Sequence, residues 1–262
     1  MKANTFSSTE ERLLQDETMQ IAEHLFEQFC ALPPSMPAIP PIIHMIWLGS
    51  PPPPAVRLVM ASWIKHHPTW EVKLWTDEEV QDLQWSHPKS AFLFAEAKNW
   101  AEKSDILRFE ILHQYGGIYT DTDAVCLKPL NPLLESGLSF FACFEDNKVN
   151  QSKLPLVGSA VVLAAKNHPI LHRCLEYSSS EREAPGIQQY LRSGPGPLSR
   201  ACYEALEAGD QDLVILPRSY FYPLPWMKRY GDLKEVLKSI RPESFTVHLW
   251  EGTWFGKEEK KL

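Results

Sequence analysis

The sequence Gly116-Gly117-Ile118-Tyr119-Thr120-Asp121-Thr122-Asp123 carries the strongest structural signal in this chain. A glycine pair interrupts the preceding pattern, a short apolar run follows, and two carboxylates close the stretch one residue apart. On an extended segment Asp121 and Asp123 would point to the same side, beyond the end of a strand. Two carboxylates this close repel each other unless a cation lies between them, and such oxygen donors suit Mg²⁺ or Mn²⁺. The stretch therefore predicts a strand that ends at a divalent-cation site.

The segment before the glycines, residues 104–115, is predicted to be a helix. Its apolar residues fall on one stripe, and Gly116 ends it. Asp105 and Arg108 are three residues apart, so they share one side of that helix. The glycine pair would let the backbone approach a ligand without an intervening Cβ. A bare Asp-x-Asp is common in surface turns, and this upstream context is what favours a ligand site over a turn.

Residues 42–48 form a nearly continuous apolar run bounded by Pro41 and Gly49. Such a run predicts a central strand buried on both faces, with its C-terminal end opening into a loop. A helix is predicted at 55–66, a second strand at 71–75, and helices at 78–83 and 89–97. Strands that alternate with helices at this spacing predict a Rossmann-like, layered α/β fold.

The chain on either side of this core gives weaker signals. Ser8 and Glu11 form a capping box, which predicts an amphipathic helix up to Pro33-Pro34 that packs on the main domain. Its polar face is acidic, which disfavours membrane docking. Residues 33–41 are proline-rich and predict a stiff connector.

Further strands are predicted at 139–144, 159–164, 213–216 and 245–250, and further helices at 170–177, 187–191 and 198–208. Strict alternation over 245–250 would put Thr246, His248 and Trp250 on one face.

The composition argues against nucleic-acid binding, structural zinc, a disulfide framework and a membrane-spanning segment. The chain has 262 residues, a net charge of -7 and 44% hydrophobic residues, and its pI is about 5.7. This acidic balance argues against nucleic acid as a partner. The five cysteines are far apart with no CxxC pair, which disfavours structural zinc and a disulfide framework and fits a reducing compartment. No apolar run reaches the roughly 20 residues of a membrane span. We therefore expect no integral membrane segment.

The N-terminus is polar and acidic, without the pattern of a signal peptide. This predicts a cytoplasmic protein, or an effector exported without a cleavable signal peptide that acts in a host cytosol. A role in polysaccharide biosynthesis fits the first location.

The motifs together resemble a known family. Residues 42–49, 104–108 and 115–123 are similar to the DxD sugar-binding glycosyltransferases of family 32, and to the catalytic domain of the large glucosylating bacterial toxins. The resemblance runs from Pro40 to Trp254 and is dense only up to Asp123. It implies a GT-A type glycosyltransferase: a single Rossmann-like nucleotide-sugar-binding domain with a mixed central sheet and an N-terminal helix. The implied boundaries are 1–39 for the helix and proline-rich connector, 40–256 for the GT-A domain and 257–262 for a charged tail.

The resemblance implies roles on the donor side. Trp47, beside Ile46 at the end of the first strand, would stack on the nucleotide base; a core tryptophan is the alternative. Asp105 would hydrogen-bond the ribose or sugar with Arg108 beside it, the alternative being a plain surface ion pair. The other implied donor-binding positions are Gly117, Tyr119, Gly194, Pro195 and Trp254.

It also implies a metal site. Asp121 would reach the ribose, the sugar and metal-bound water, and Asp123 would bind the metal directly. His248 begins a segment, up to Trp254, that resembles the family's closing His-x-Trp-x-x-Ser-Trp, so it would be a third ligand; a lone strand histidine can equally be structural. The implied catalytic set is Asp105, Arg108, Asp121 and Asp123, and the implied metal ligands are Asp121, Asp123 and His248.

Two positions depart from the family pattern. Thr253 stands where serine is usual. Gly158-Ser159 falls where an asparagine is expected before the next strand, which puts a contact to the donor-sugar hydroxyls in doubt.

The predicted function is a metal-dependent hexosyltransferase that uses Mn²⁺ or Mg²⁺. It would take a nucleotide-sugar, favouring UDP-sugar over GDP-sugar, and modify a glycan, lipid or protein hydroxyl with retention of configuration. Two other functions stay open at this point. One is a haloacid-dehalogenase-like phosphohydrolase using Asp121 and Asp123, and the other is a catalytically inert adaptor with a transferase fold.

Overall fold

The computed structural model describes residues 8–145, 155–184, 188–229 and 231–251, and only the backbone of residues 8–16. Within these ranges a six-stranded mixed sheet forms the centre, in the order β2-β1-β3-β6-β5-β7, and β4 pairs with β8 in a small second sheet. The strands are β1 (Ile42–Ile46), β2 (Glu71–Trp75), β3 (Gly117–Thr120), β4 (Ala124–Cys126), β5 (Phe140–Phe144), β6 (Val157–Ala164), β7 (Leu213–Leu216) and β8 (Thr246–His248).

Helices cover both faces of the six-stranded sheet. They are α1 (Ser8–Cys30), α2 (Pro54–His66), α3 (Asp77–Gln81), α4 (Pro88–Glu96), α5 (Trp100–Tyr115), α6 (Asn131–Leu134), α7 (Pro169–Tyr177), α8 (Gln189–Arg192), α9 (Pro195–Glu207) and α10 (Leu233–Ser239). Short 3₁₀ turns lie at Arg218–Tyr220 and Trp226–Lys228. The predicted α/β class with a mixed sheet is confirmed.

Strand β1 shows why the apolar run at 42–48 is continuous. Ile43 and Met45 pack into the core on the side of α2, while Ile46 and Leu48 pack into the core on the side of α5 and α9. Because β1 lies between β2 and β3, in parallel with both, each face of the strand meets a helical layer.

The glycine pair serves the packing of the backbone rather than the approach of a ligand. Gly116 and Gly117 have φ values of 67° and 101°. A Cβ on Gly116 would lie 2.6 Å from the backbone nitrogen of Lys166, and one on Gly117 would lie 2.5 Å from the carbonyl oxygen of Ile42. Gly117 begins β3, and Asp121 follows the end of that strand. At about 3.3 Å per residue, Gly117 and Asp121 are roughly 13 Å apart. The structure therefore places Gly117 away from the carboxylates, which differs from its predicted role in donor binding.

His44 fixes this turn from the neighbouring strand. The indole Nε1–H of Trp75 donates to His44 Nδ1 at 3.1 Å, and His44 Nε2 lies 3.0 Å from the carbonyl oxygen of Gly116. An indole nitrogen can only donate, so Nδ1 accepts and Nε2 carries the proton that Gly116 accepts. The ring is therefore neutral. Burial lowers its pKa to about 4.

The N-terminal helix packs on the main domain, as expected. Ala22 and Leu25 are buried, and the ring of Phe29 meets that of Phe141 on β5 edge-on at 5.6 Å. Thr18 Oγ1 donates to Glu207 at the end of α9 at 3.3 Å. The side chains of the capping box lie outside the described residues. No helix among the described residues is both long and apolar enough to span a membrane.

Two predicted elements differ from the observed ones in ways that affect the site. The strand predicted at 159–164 begins at Val157, so Gly158 and Ser159 lie inside β6 rather than before it. The strand predicted at 245–250 ends at His248, and Trp250 adopts a φ of 58°. The strand therefore does not continue after His248, but the Trp250 ring still lies beside that of His248, with ring centroids 4.1 Å apart.

Candidate active site

A cleft of about 230 Å³ opens at the C-terminal end of β3. Its charged and titratable lining consists of Asp105 and Arg108 on α5, Asp121 after β3, Glu145 after β5 and His248 at the end of β8, and we call it the acidic cleft. Because β3 lies in the middle of the sheet, its end brings together side chains from distant parts of the chain.

Asp121, Asp123 and His248 converge beside the acidic cleft. Their ligand atoms all lie within 4.8 Å of one another, and all three residues are buried. The antiparallel register of β4 and β8 pairs Ala124 with His248, which puts the imidazole next to Asp123 from 125 residues away. Residues 121–123 form a turn, closed by the Ala124 N–H donating to the Asp121 carbonyl at 3.1 Å. The carboxylates thus converge through a turn between two strands, not through the extended geometry expected from the sequence.

This donor set fits a divalent cation. The two carboxylates supply the oxygen ligands that Mg²⁺ and Mn²⁺ prefer, and the imidazole offers one further nitrogen ligand. The Nδ1 atom of His248 is buried and has no hydrogen-bond partner among the described residues. The three side chains that the resemblance implied as metal ligands are therefore close enough to bind one ion.

Asp123 is held by partners on the segment that follows β8. His248 Nε2 lies 2.9 Å from Asp123 Oδ1, and the Glu251 N–H donates to Oδ2 at 2.8 Å. Burial acts to raise the pKa of Asp123, but the charge and hydrogen bond of His248 outweigh it and lower that pKa. Burial likewise acts to lower the pKa of His248, and Asp123 outweighs it and raises that pKa.

Asp121 has different partners on the other side. The Tyr119 hydroxyl donates to its Oδ1 at 2.6 Å, and Arg108 Nη2 lies 3.3 Å from the same oxygen. Burial raises the pKa of Asp121 in spite of the nearby charges of Arg108 and His248. Tyr119, which the resemblance implied as a donor-binding residue, is 1% exposed and supports Asp121 from behind.

Arg108 links the two ends of the acidic cleft. Its Nη1 lies 3.0 Å from Asp105 Oδ1, while Nη2 contacts Asp121. Nη1 also donates to Ser159 Oγ, and the guanidinium lies over the Tyr119 ring, 4.6 Å from its centroid. Ser159, at the position where the family pattern calls for an asparagine, is therefore a partner of the arginine.

The other oxygen of Asp105 is held by the segment before α9. Ser193 Oγ donates to Oδ2 at 2.8 Å, and Gln189 Nε2 lies 3.4 Å from the same atom. A Cβ on Gly194 would lie 2.7 Å from Asp105 Oδ1, so only glycine fits against this carboxylate. Burial raises the pKa of Asp105 although Arg108 opposes the shift. Gly194 thus acts through Asp105, and Pro195 lines the cleft directly.

A second pocket of about 150 Å³ lies at the end of β1, and we call it the tryptophan pocket. Trp47 and Trp100 form its aromatic lining, and Gly49 lines it as well. The Trp47 Nε1–H donates to Ser50 Oγ at 3.2 Å, and a Cβ on Gly49 would lie 2.2 Å from the Trp100 ring. Ser104 lines both this pocket and the acidic cleft, so the two form one continuous surface.

The structure brings most of the predicted site residues to these two pockets. Ile46 and Trp47 line the tryptophan pocket, and Trp254 lies outside the described residues. The sequence did not point to Trp100, whose side chain is 47% exposed at the start of α5. It also missed Ser193, although its position directly before Gly194-Pro195 was a usable signal.

Comparisons with known proteins find similarity to glycosyltransferases. Residues 53–139 match the family model described as a glycosyltransferase sugar-binding region containing the DXD motif. Inositol phosphoceramide mannosyltransferase 1 of Schizosaccharomyces pombe is 26% identical over 242 residues, which cover 87% of this chain and 66% of that protein. The chain thus matches just under two thirds of this relative's length.

Two solved structures share the fold. PaToxG glycosyltransferase aligns with a TM-score of 0.55 at 19% identity, over 78% of this chain and 82% of its own. The catalytic domain of alpha-toxin from Clostridium novyi aligns with a TM-score of 0.53 at 9% identity, over 100% of this chain and 91% of its own. The chain therefore has a GT-A fold and is similar to the DXD glycosyltransferases over its sugar-binding region.

Proposed function

We propose that this protein transfers a hexose from a nucleotide-sugar, with UDP-sugar favoured and Mn²⁺ or Mg²⁺ present, to a hydroxyl of a lipid-borne acceptor. The observation that carries the proposal is the convergence of Asp121, Asp123 and His248 beside a cleft that continues into the tryptophan pocket. This arrangement offers one place for a cation with a diphosphate and another for an aromatic base.

Asp123, His248 and Asp121 would hold the cation. When bound, it would supply positive charge against the leaving diphosphate. The protein contributes a fixed geometry, because each carboxylate is already hydrogen-bonded by its own partners. Such preorganisation avoids reorientation at the moment of reaction.

Arg108 positions the donor-facing carboxylates. Its guanidinium lies between Asp105 and Asp121, so their orientation depends on one side chain. Asp105 keeps access to the cleft while Ser193 and Arg108 hold it, which suits a carboxylate that accepts hydrogen bonds from ribose or sugar hydroxyls.

The tryptophan pocket suits the base of the donor. Trp47 and Trp100 present aromatic surface in this pocket, and base stacking on aromatic side chains contributes about 1–3 kcal/mol. We include retention of configuration in this proposal only because the family that the chain resembles implies it.

The surface beside the acidic cleft supports a lipid-borne acceptor. Trp226 packs edge-on against Trp250, a cleft-lining residue, with ring centroids 5.5 Å apart. Next to it Met227, Leu233 and Leu237 are 67%, 72% and 58% exposed. Residues 226–241 carry five basic and two acidic side chains in a chain of net charge -7.

Exposed apolar residues mixed with lysine and arginine favour the interface of an anionic membrane. The name of the yeast relative, a mannosyltransferase of inositol phosphoceramide, also supports a lipid acceptor. We therefore place the protein at a membrane surface during transfer, in the cytoplasm of its own cell or, as an effector, of a host.

The two other functions fit the structure less well. A haloacid-dehalogenase-like phosphohydrolase places its aspartates after an early strand of another fold, whereas Asp121 follows the third strand of a GT-A sheet. An inert adaptor does not require a complete set of buried carboxylates and an imidazole around one point.

The direct test is donor turnover. The purified chain is incubated with UDP- and GDP-sugars and Mn²⁺ or Mg²⁺, and release of the nucleotide is measured. We expect hydrolysis of at least one donor that stops with EDTA and in Asp123→Asn. Turnover of simple phosphoesters without any sugar-nucleotide turnover would favour the phosphohydrolase, and no metal-dependent nucleotide binding would favour the adaptor.

The acceptor is tested by vesicle sedimentation. We expect binding to vesicles that contain phosphatidylinositol, weaker binding to neutral vesicles, and loss of binding in Leu237→Asp. Leu58→Asp is the matched control, since Leu58 is 74% exposed on α2. Equal binding by both variants would contradict a docking surface at α10.

A further inference from the structure

Three histidines and a glutamate meet on the helical layer, separate from the acidic cleft. His87 precedes α4, His113 lies in the last turn of α5, and His172 and Glu176 lie one turn apart on α7. We call this group the histidine cluster. His113 and Asp105 are eight residues apart on α5, which separates the cluster from the cleft by about 12 Å along the helix.

The geometry of the cluster is that of an open ligand set. Ligand atoms of His87, His172 and Glu176 all lie within 4.8 Å of one another. The rings of His87 and His172 are 5.2 Å apart, and those of His113 and His172 are 6.1 Å apart. Ligands bound to zinc at about 2.1 Å in a tetrahedron are roughly 3.4 Å apart, so small side-chain movements would bring three donors around one ion.

One ring in the cluster is incompletely satisfied. His87 is 9% exposed, its Nε2 lies 2.8 Å from Glu176 Oε1, and its buried Nδ1 has no hydrogen-bond partner among the described residues. An unsatisfied buried polar atom often marks a missing water or ion. His172 and Glu176 are exposed, so a cation can reach the cluster from solvent.

The local charge also favours a cation. Glu110 reaches the edge of the cluster through Ser86, whose Oγ lies 2.7 Å from Glu110 Oε1 and 3.3 Å from His113 Nδ1. Lys89 approaches Glu176 only at its carbonyl oxygen.

We propose that His87, His172 and Glu176 bind a divalent transition metal of the zinc class, with His113 beside the open position. Imidazole nitrogens prefer Zn²⁺, Ni²⁺ or Cu²⁺ to Mg²⁺ or Mn²⁺. A bound ion would connect α4 to α7, with α5 beside them, and so brace the layer that carries Asp105 and Arg108 on α5. The cysteine pattern of the sequence pointed away from structural zinc, and this site would not use cysteine.

The ordinary explanation of the same contacts is a hydrogen-bonded ion pair between His87 and Glu176. That explanation predicts no saturable response to zinc. It also predicts that His172, which has a ring contact but no hydrogen bond with His87, can be replaced without changing the unfolding midpoint measured with zinc.

The test uses the full chain without an affinity tag, first stripped with EDTA. Thermal unfolding is followed with and without one equivalent of Zn²⁺, and Co²⁺ binding is followed by its visible absorption bands. We expect zinc to raise the unfolding midpoint of the wild type by several degrees, and Co²⁺ to give one equivalent of four-coordinate bands. His172→Ala and Glu176→Gln should weaken binding about tenfold or more.

His24→Ala is the matched control, because His24 is an exposed histidine on α1. Mn²⁺-dependent donor turnover should be unchanged in both cluster variants, which separates this site from the acidic cleft. The proposal is overturned if zinc does not stabilise the wild type, or if His172→Ala and Glu176→Gln bind Co²⁺ as the wild type does.

Discussion

The acidic cleft and the tryptophan pocket adjoin each other at Ser104 but are built in opposite ways. In the cleft Asp105, Asp121 and Asp123 are all at least nine-tenths buried, and each has hydrogen-bond partners on other segments. In the pocket Trp100 is half exposed, and its ring packs directly against the backbone of Gly49. A charged site needs fixed partners because unpaired buried charge is costly. An aromatic pocket needs only a flat apolar surface, so it tolerates more freedom.

The largest effect should come from the metal ligand of the cleft. Asp123→Asn removes a negative charge but keeps an oxygen that can accept from the Glu251 N–H. We expect donor turnover to fall on the order of 10⁴-fold, about 5 kcal/mol, with the fold retained by circular dichroism. Asp82→Asn, at an exposed position after α3, is the control. A fully active Asp123→Asn would remove the metal-site assignment.

The next largest effect should be a loss in the free energy of unfolding when Arg108 is replaced. Arg108→Met leaves Asp105 and Asp121 buried without their shared cation, so we expect a loss of about 3–5 kcal/mol in urea unfolding. Arg200→Met is the control, because Arg200 forms an exposed pair with Glu204 and should cost under about 1 kcal/mol. Equal losses in both variants would show that the stabilising effect of the Arg108 ion pairs does not depend on their burial.

Acid should weaken the fold through His44, which is buried on β1. Its pKa is about 4 in the folded chain against 6.5 for the free side chain, so the unfolded state binds the extra proton. The contribution of neutral His44 to the free energy of unfolding is complete above pH 6.5, and it falls by about 3 kcal/mol as the pH drops to 4. We expect urea stability to decline more steeply with acid in the wild type than in His44→Gln. Identical pH slopes would contradict this account.

The smallest effect should come from the tryptophan pocket. Trp47→Ala should raise the KM for the donor about tenfold to a hundredfold, with little change in kcat, because stacking is worth about 1–3 kcal/mol. Trp47→Phe should restore most of the affinity. Phe92→Ala, at a 45% exposed aromatic of α4, is the control. A fall in kcat without a change in KM would mean that Trp47 acts on the cleft and not on the base.

Local pattern predicted the elements around the site well. The apolar run at 42–48, the stripe of α5 and the glycine stop at Gly116 all correspond to observed elements. Sequence did not predict β4, because a three-residue strand carries no periodicity of its own. The sequence also did not reveal why residue 117 is a glycine, because the Ile42 carbonyl oxygen that excludes a side chain there belongs to another strand.

The sequence by itself determined the fold class and the carboxylates of the site, because hydrophobic periodicity and a spaced motif are local properties. Tertiary structure alone decided which partners those carboxylates have. The register of β4 against β8 brings His248 to Asp123, and the segment before α9 brings Ser193 to Asp105. It likewise assembled the histidine cluster from three helices. These contacts join residues far apart in the chain, and no local pattern encodes a long-range distance.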